Sequence, residues 1–589
     1  MRIKRHLVTT ADERTWKFDF PVLFLGEWCR LYDRNAVWGK MDAEVAAPLV
    51  SEAVKKFNDV SYVQALTAEL LIELAAALNA VHDTNHLTRY WNILLGHWLE
   101  RYVSVCFNRY FAINQALNNY KITSTTTFDL TGHGLATTDS NSFISACRND
   151  IWNNVFYGRV LQHMGCNDVE FDFVHIKNKD SLKQKTSIKQ TIKTAISSIL
   201  ARLSKNDDAF IISSYLPKWQ EIKLQLALWQ CPQFWQSPAL NVVLIDTLMR
   251  RKFTVNSANH SGFEKFVRDL LPDVIPACYL EGYADLGQQV GSLKWPSNPK
   301  FIFTSNNFDT GEIFKAWVGL KIEQGVPYFI GQHGNYQAYP YLLNSPEMVS
   351  SDKFFCWGSA NGNVKNISAF VFKIANRKRK RKTKPNGGLL LIELHVPLLL
   401  DLNDEYYKFG IYQEQQFRFV EALPKKIKQE LTVRLHSSWR SMRWSDDKRW
   451  SDRMPSVHLE TGKAPIQKLI AKSRLVVHSY DSTGILEGLA SNVPTLCFWY
   501  GGLDHLLPRE KPYYELLRGA GILANSPEQA ALHVAKYWDN IDEWWESEQV
   551  QSARRVFCEQ YARVEKHPVR TLKQLMTAAV TTHKYNREV

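Results

Sequence analysis

VVHSYDSTGILEGLASNVPTLCFW, residues 476–499, sets an apolar run, a polar knot, a helical stretch and a second apolar run in succession. RLVVHS is short and β-branched and reads as a buried strand; STGILEGLAS repeats apolar residues at helical spacing; VPTLCFW returns to strand. Strand, helix, strand requires parallel pairing with a right-handed crossover. The first backbone N–H groups of such a helix, those of Ser482, Thr483, Gly484 and Ile485, have no intrahelical partner and suit an anion. Ser482 and Thr483 add hydroxyls, and Gly484 removes a side chain that would hold a phosphate off. Glu487, one turn after Thr483, offers a carboxylate to ribose hydroxyls. The joint therefore reads as a nucleotide site, against the bland alternative of a capped helix with Glu487 solvated.

The same alternation extends upstream. LLLIELH, LTVRLHS and SVHLETG read as strands and EYYKFGIYQEQQFRFVEAL as a helix, which gives a doubly wound sheet over residues 389–540, followed by helices over 541–589. Before it lies NRKRKRKTKPNGG, a basic run closed by Pro and two glycines, which marks a linker over 376–388. FIFTSNNFDTGEIFKAWVGLKIEQGVPYFIGQHGNYQAY reads as a second βαβ unit in an N-terminal domain, 1–375. That domain opens on the strands of HLVTTADERTW and FPVLFLGEWCRLY and carries a helical insertion over about 42–120. The fold class expected is α/β, with two domains facing a cleft and ligands beyond the carboxyl ends of the strands.

The polar loops at those strand ends supply the other candidates. Arg434 and His436 in VRLHSSW offer a guanidinium fork and an imidazole donor to a departing phosphate. His333 in IGQHGNYQ fits a general base or acid, or an anchor for the donor, with Gln332 and Gly334 beside it and Asp481 from the knot opposite. Asp12, Glu13 and Glu27 end the first two strands and are the carboxylates available as base or nucleophile. Asp168, Glu170 and Asp172 in DVEFDFVHI alternate as a solvated strand face does, so no metal site is assigned there.

With 45% hydrophobic and 22% charged residues over a length of 589, the chain has the composition of a soluble protein of two or three domains. Nine scattered cysteines without a CxxC pair indicate neither zinc nor disulfides and fit a reducing cytoplasm. The start lacks the apolar core of a signal peptide, and GGLLLIELHVPLLLDL is too short and too interrupted to span a bilayer. The net charge of +13 suits an anionic partner. The RKRKRKTK run reads as a solvated hinge or as a peripheral contact with an anionic inner membrane, and no nucleic-acid motif accompanies it.

TTADERTW, VLFLGEWCRLY, HLTRYWNILLGHWLERYV, FEKFVRDLLPDVIPACYLEGY, YFIGQHGNY and YDSTGILEGLASNVPTLCFW together resemble a bacterial transferase family found among surface-polysaccharide genes. More distantly, QHG and DSTGILEGLA are similar to transferases of CMP-activated ulosonic acids, the Kdo, pseudaminic and sialic acid enzymes. The resemblance implies a GT-B fold of two Rossmann-like domains, with Ser482, Thr483 and Glu487 on the nucleotide, Arg434 and His436 on its phosphate and His333 near the donor. It implies no cofactor beyond a CMP-linked donor, no metal, and a glycan or lipid-linked acceptor. A retaining route would need a carboxylate nucleophile, for which Glu27 is the candidate, or a front-face displacement. His436-Ser437 in place of His-Pro, and Asn335 in place of a further glycine, depart from the relatives' pattern and bear on the donor. The alternatives are a polyol-phosphate transferase using a CDP-linked donor, a GT-B epimerase and, from another class, a nucleic-acid-binding protein.

Overall fold

The computed structural model of the chain describes residues 3–49, 53–129, 134–175, 204–241, 243–335, 338–339, 342, 344–376, 386–394, 402 and 408–588. Its strands form three five-stranded sheets, parallel throughout. The first holds β1 (Lys4–Val8), β2 (Val22–Phe24), β3 (Ala43–Val45), β4 (Lys121–Asp129) and β5 (Glu170–His175) in the order β3-β2-β1-β4-β5. The second holds β6 (Phe210–Ile212), β7 (Ile302–Thr304), β8 (Tyr328–Gly331), β9 (Lys353–Cys356) and β10 (Asn366–Ser368), in the order β10-β9-β8-β7-β6. The third holds β11 (Gly388–Ile392), β12 (Leu431–Arg434), β13 (His458–Glu460), β14 (Ser473–His478) and β15 (Thr495–Cys497), ordered β13-β12-β11-β14-β15.

The α/β class and the parallel sheets agree with the sequence reading, and the second and third sheets are the two halves expected to face each other. The stretch 1–375, read as one N-terminal domain, contains two of these sheets. Five of the ten strands in those two sheets, β2, β3, β6, β7 and β10, are three residues long, too short to show a period, and β3 lies inside the stretch read as purely helical. The rest of that stretch is helical as expected, as Ala53–His82 and Thr88–Asn119. The basic run of the linker falls at 377–385, outside the described residues.

One apolar core joins the first sheet, those two long helices and one side of the second sheet; another joins the other side of the second sheet to the third sheet and the C-terminal helices. The backbone of 560–563 is stitched to the second sheet, where Ser359 N donates to Gln560 O (2.9 Å) and Arg563 N to Trp357 O (2.7 Å). The closing helix Pro568–Glu588 then packs on Lys218–Ala227 of the second sheet. The first sheet also reaches the third. Arg443 pairs with Asp150 at 2.7 Å, Tyr32 donates to Asp452 at 3.1 Å, and Trp28 packs beside Phe409, Tyr412 and Trp444. In the first and third sheets the strand order reverses, between β1 and β4 and between β11 and β14, which opens a crevice beyond the strand ends.

Candidate active site

The carboxyl end of β14 meets the carboxyl end of β8. The helix after β14 runs Thr483–Ala490 with Ser482 as its N-cap residue, one residue from the start read in the sequence. Ser482 makes no side-chain cap; its hydroxyl lies 3.3 Å from Nδ1 of His478, and it is buried. The amides of Thr483 and Gly484 are thus not capped by a side chain, while Ile485 N is taken by Ser482 O at 3.0 Å. Thr483 Oγ1 accepts from the amide of Asn335 at 3.3 Å, and a Cβ on Gly334 would stand 3.0 Å from that oxygen. The helix start read as an anion site therefore faces the QHG loop of the opposite sheet.

Gly484 also meets a packing constraint. A Cβ there would meet Cε1 of His478 at 2.6 Å, and that ring is buried beneath the helix. The glycine lets the helix start rest on the imidazole. Gly484→Ala is expected to lower stability by about 1–3 kcal/mol through overpacking, measured as a shift in the urea midpoint.

His333 is flanked by Tyr215 (ring centroids 6.2 Å) and Phe308 (5.7 Å). Burial, reinforced by Lys373 and opposed by Asp309, pushes its imidazole down to about 4, so it is neutral at neutral pH. Gln332 positions this loop: its amide donates to Gly334 O (2.6 Å), and its Oε1 accepts from Trp357 N (2.7 Å). Across the crevice Glu487 pairs with Lys373 at 3.1 Å, and the lysine lies over the rings of Tyr215 and Trp357. Asp481 is held by His505 at 3.1 Å. Arg434 donates to Leu435 O (3.1 Å), 3.8 Å from Glu460, and acts electrostatically on Tyr480. His436, with Nδ1 accepting from Ser438 N (3.2 Å), is lowered by burial and by Arg434. Thr483 and the QHG loop are thus brought together, Glu487 reaches Lys373, and Arg434 acts on Tyr480 beside the helix start.

The carboxylates of the first sheet stand by the third sheet, where the charge of Arg443 acts on Asp12. Asp12 is bonded to Arg14, Glu13 to Arg34 and Glu27 to Arg30, each at 2.6 Å. No hydrogen bond or ion pair among the described residues links them to His333 or Thr483. In the DVEFD stretch, Asp172 pairs with Lys17 at 2.7 Å on edge strand β5. Among the described residues Glu69, Glu73 and His260 have the spacing of metal ligands, but the Arg268 guanidinium donates to both carboxylates and supplies the cation.

Sequence reasoning missed Lys373, which stands in the turn before the basic linker with no pattern to mark it, and Tyr215 and Phe308, whose loops are far apart in sequence. It also passed over Glu393, although the signal was present as a carboxylate interrupting an apolar run. Glu393 ends β11 at the strand-order reversal and is buried, its Oε1 accepting from Trp450 Nε1 at 2.7 Å. Burial, with Asp446 beside it, holds it protonated well above the carboxylate range, and Asp446 itself rises to about 6. Beside it Tyr412 closes the crevice floor, accepting from Leu394 N (2.8 Å) and sharing a hydrogen bond with Ser479 (3.0 Å).

A family model described as LIC12162 family transferase matches residues 5–576. No curated protein matches the sequence. Among solved structures, the chain is similar to an S. aureus MnaA-UDP co-structure (11% identity, 64% of this chain and 97% of that one, TM-score 0.35). Others are MurG of Acinetobacter baumannii (9%, 77% and 98%, TM-score 0.29) and a variant of the wall teichoic acid polymerase TagF (10%, 68% and 100%, TM-score 0.32).

Proposed function

We infer that this chain, which belongs to the LIC12162 family of transferases, is a glycosyltransferase of surface-polysaccharide synthesis. In this reading it moves a 2-keto sugar acid of the Kdo or nonulosonic type from a CMP-activated donor to a glycan or lipid-linked acceptor. The observation that carries the reading is the start of the 483–490 helix facing His333 and Gly334 in one crevice. The single phosphate of CMP would lie on the amides of Thr483 and Gly484 and the Thr483 hydroxyl. The ribose would reach Glu487, and Lys373, released from that carboxylate, would turn to the phosphate, with Arg434 and His436 adding charge. Neutral His333 takes the proton of the acceptor hydroxyl as its oxygen bonds to the anomeric carbon and the bond from that carbon to the phosphate oxygen breaks, releasing CMP. Cations and N–H donors carry the leaving charge in place of a metal. The enzyme would work at the cytoplasmic side, where nucleotide-activated donors are made.

Thermal stabilisation by CMP, CDP, UDP and GDP tests the donor. At about a hundred times its Kd a ligand adds about 2.7 kcal/mol, so CMP is expected to raise Tm by several degrees and more than the other three. A larger shift with CDP would favour the polyol-phosphate alternative, and the smallest shift with CMP would overturn the CMP reading.

A further inference from the structure

The outward face of the helix Lys218–Ala227 is built unlike an ordinary solvated face. Its buried side, Gln220, Leu224 and Gln225, turns toward the fold, and the closing helix packs on it. Its other side exposes Lys218, Trp219, Lys223 and Leu226, and the turn that follows exposes Trp229, with Trp219 63%, Leu226 55% and Trp229 85% accessible. Nζ of Lys223 stands 5.9 Å from the Trp219 ring. The helix carries one carboxylate, Glu221, and that side chain is turned inward onto Ser214.

Trp229 is the informative residue. The helix ends in a Schellman turn, with Trp229 N donating to Leu226 O (3.0 Å) and Gln230 N to Gln225 O (3.2 Å). That turn puts Trp229 at φ 63°, a conformation glycine adopts freely and a tryptophan resists. The base beneath it is fixed. Gln230 exchanges two hydrogen bonds with the backbone of Ala209, and Gln225 exchanges two with the backbone of Gln233. A large ring is therefore held out into solvent at backbone strain, on a rigid support.

We propose that this face is a docking surface for an anionic lipid bilayer. Tryptophan and lysine together match the boundary between acyl chains and headgroups: the rings enter it and the ammonium groups meet lipid phosphate. The face is continuous with the crevice, since β6 runs through Ser213–Tyr215 into this helix and Tyr215 stacks on His333. Docking thus presents the crevice mouth to membrane-borne molecules, whatever donor it takes.

The test is flotation of the full chain with phosphatidylcholine vesicles, with and without phosphatidylglycerol. The chain is expected to float with the anionic vesicles. Trp219→Ser with Trp229→Ser should reduce partitioning on the order of tenfold. Lys218→Glu should reduce it at least about fivefold on anionic vesicles and little on neutral ones. Trp229→Gly is the decisive variant, because glycine suits the turn: Tm should hold or rise while partitioning falls. The proposal is overturned if Trp229→Gly binds vesicles like the parent chain, or if the parent does not bind them. It is equally overturned if the tryptophan variants change only the solution mass by light scattering, which would mark a self-association face. Loss of binding on Ile72→Ser instead, on the outward face of the 53–82 helix, overturns it as well.

Discussion

Replacing His333 by alanine lowers kcat by about 10²–10⁴-fold, the range for removal of a positioned general base, with the CMP-induced rise in Tm retained. The separation follows from the proposed arrangement: apart from Lys373, the groups that would hold the nucleotide stand on the third sheet, while His333 comes from the second. The pH profile carries the same information. Only neutral imidazole accepts a proton, and burial and Lys373 hold this one near 4. The acid limb of kcat/KM, which reports the free enzyme, is therefore expected near pH 4, with activity falling as pH drops through it. A bound donor brings negative charge beside the ring, and Lys373 turns toward that charge. Both changes raise the imidazole, so the acid limb of kcat should lie at higher pH than that of kcat/KM. A variant that also loses the CMP shift, or a parent enzyme whose two limbs coincide, would remove His333 from the role of base.

The second large effect is on stability. Lys315 is 1% exposed and donates to Tyr279 Oη (2.9 Å), Asp309 O (3.1 Å) and Ser140 Oγ (3.3 Å), and pairs with Glu312 at 2.9 Å. Glu312 accepts in turn from Tyr279 Oη (2.6 Å) and Ser140 N (3.1 Å). This network fills the seam between the first and second sheets and holds the loop whose Phe308 flanks His333. Lys315→Met leaves a buried carboxylate without its cation and is expected to cost about 3–5 kcal/mol, a large part of the stability of an ordinary domain. Lys315→Met with Glu312→Met removes both charges and should restore much of that loss. Urea unfolding of the single and double variants measures it. Equal midpoints for parent and single variant would show that the network does not hold the seam.

Much of the third sheet was legible because its strands are four to six residues long in β11, β12 and β14, and buried apolar runs of that length between polar loops admit few other readings. The helix start at Thr483 was legible for a related reason: a polar knot between an apolar strand and an amphipathic helix can only be a joint. The division of the first 375 residues was not, because strands of three residues carry no period and the segment that separates the first two sheets has no punctuation of its own. Gly484 shows the limit at a single residue. Its place in the motif suggested closeness to a phosphate, and only the packed fold put the ring of His478 where its side chain would be.

The chain order of residues thus determined the α/β class, the parallel pairing and the loops at which polar groups gather, all of which depend on local period and on neighbours within a few residues. Tertiary structure alone decided which of those loops meet: it brought Gly334 to Thr483 and Lys373 to Glu487, and it paired Asp12, Glu13 and Glu27 with arginines at the end of the first sheet, where Arg443 of the third acts on Asp12. The reason is physical. Which charge ends beside which is fixed by how the apolar faces of separate sheets are buried together, and no spacing within one segment carries that information.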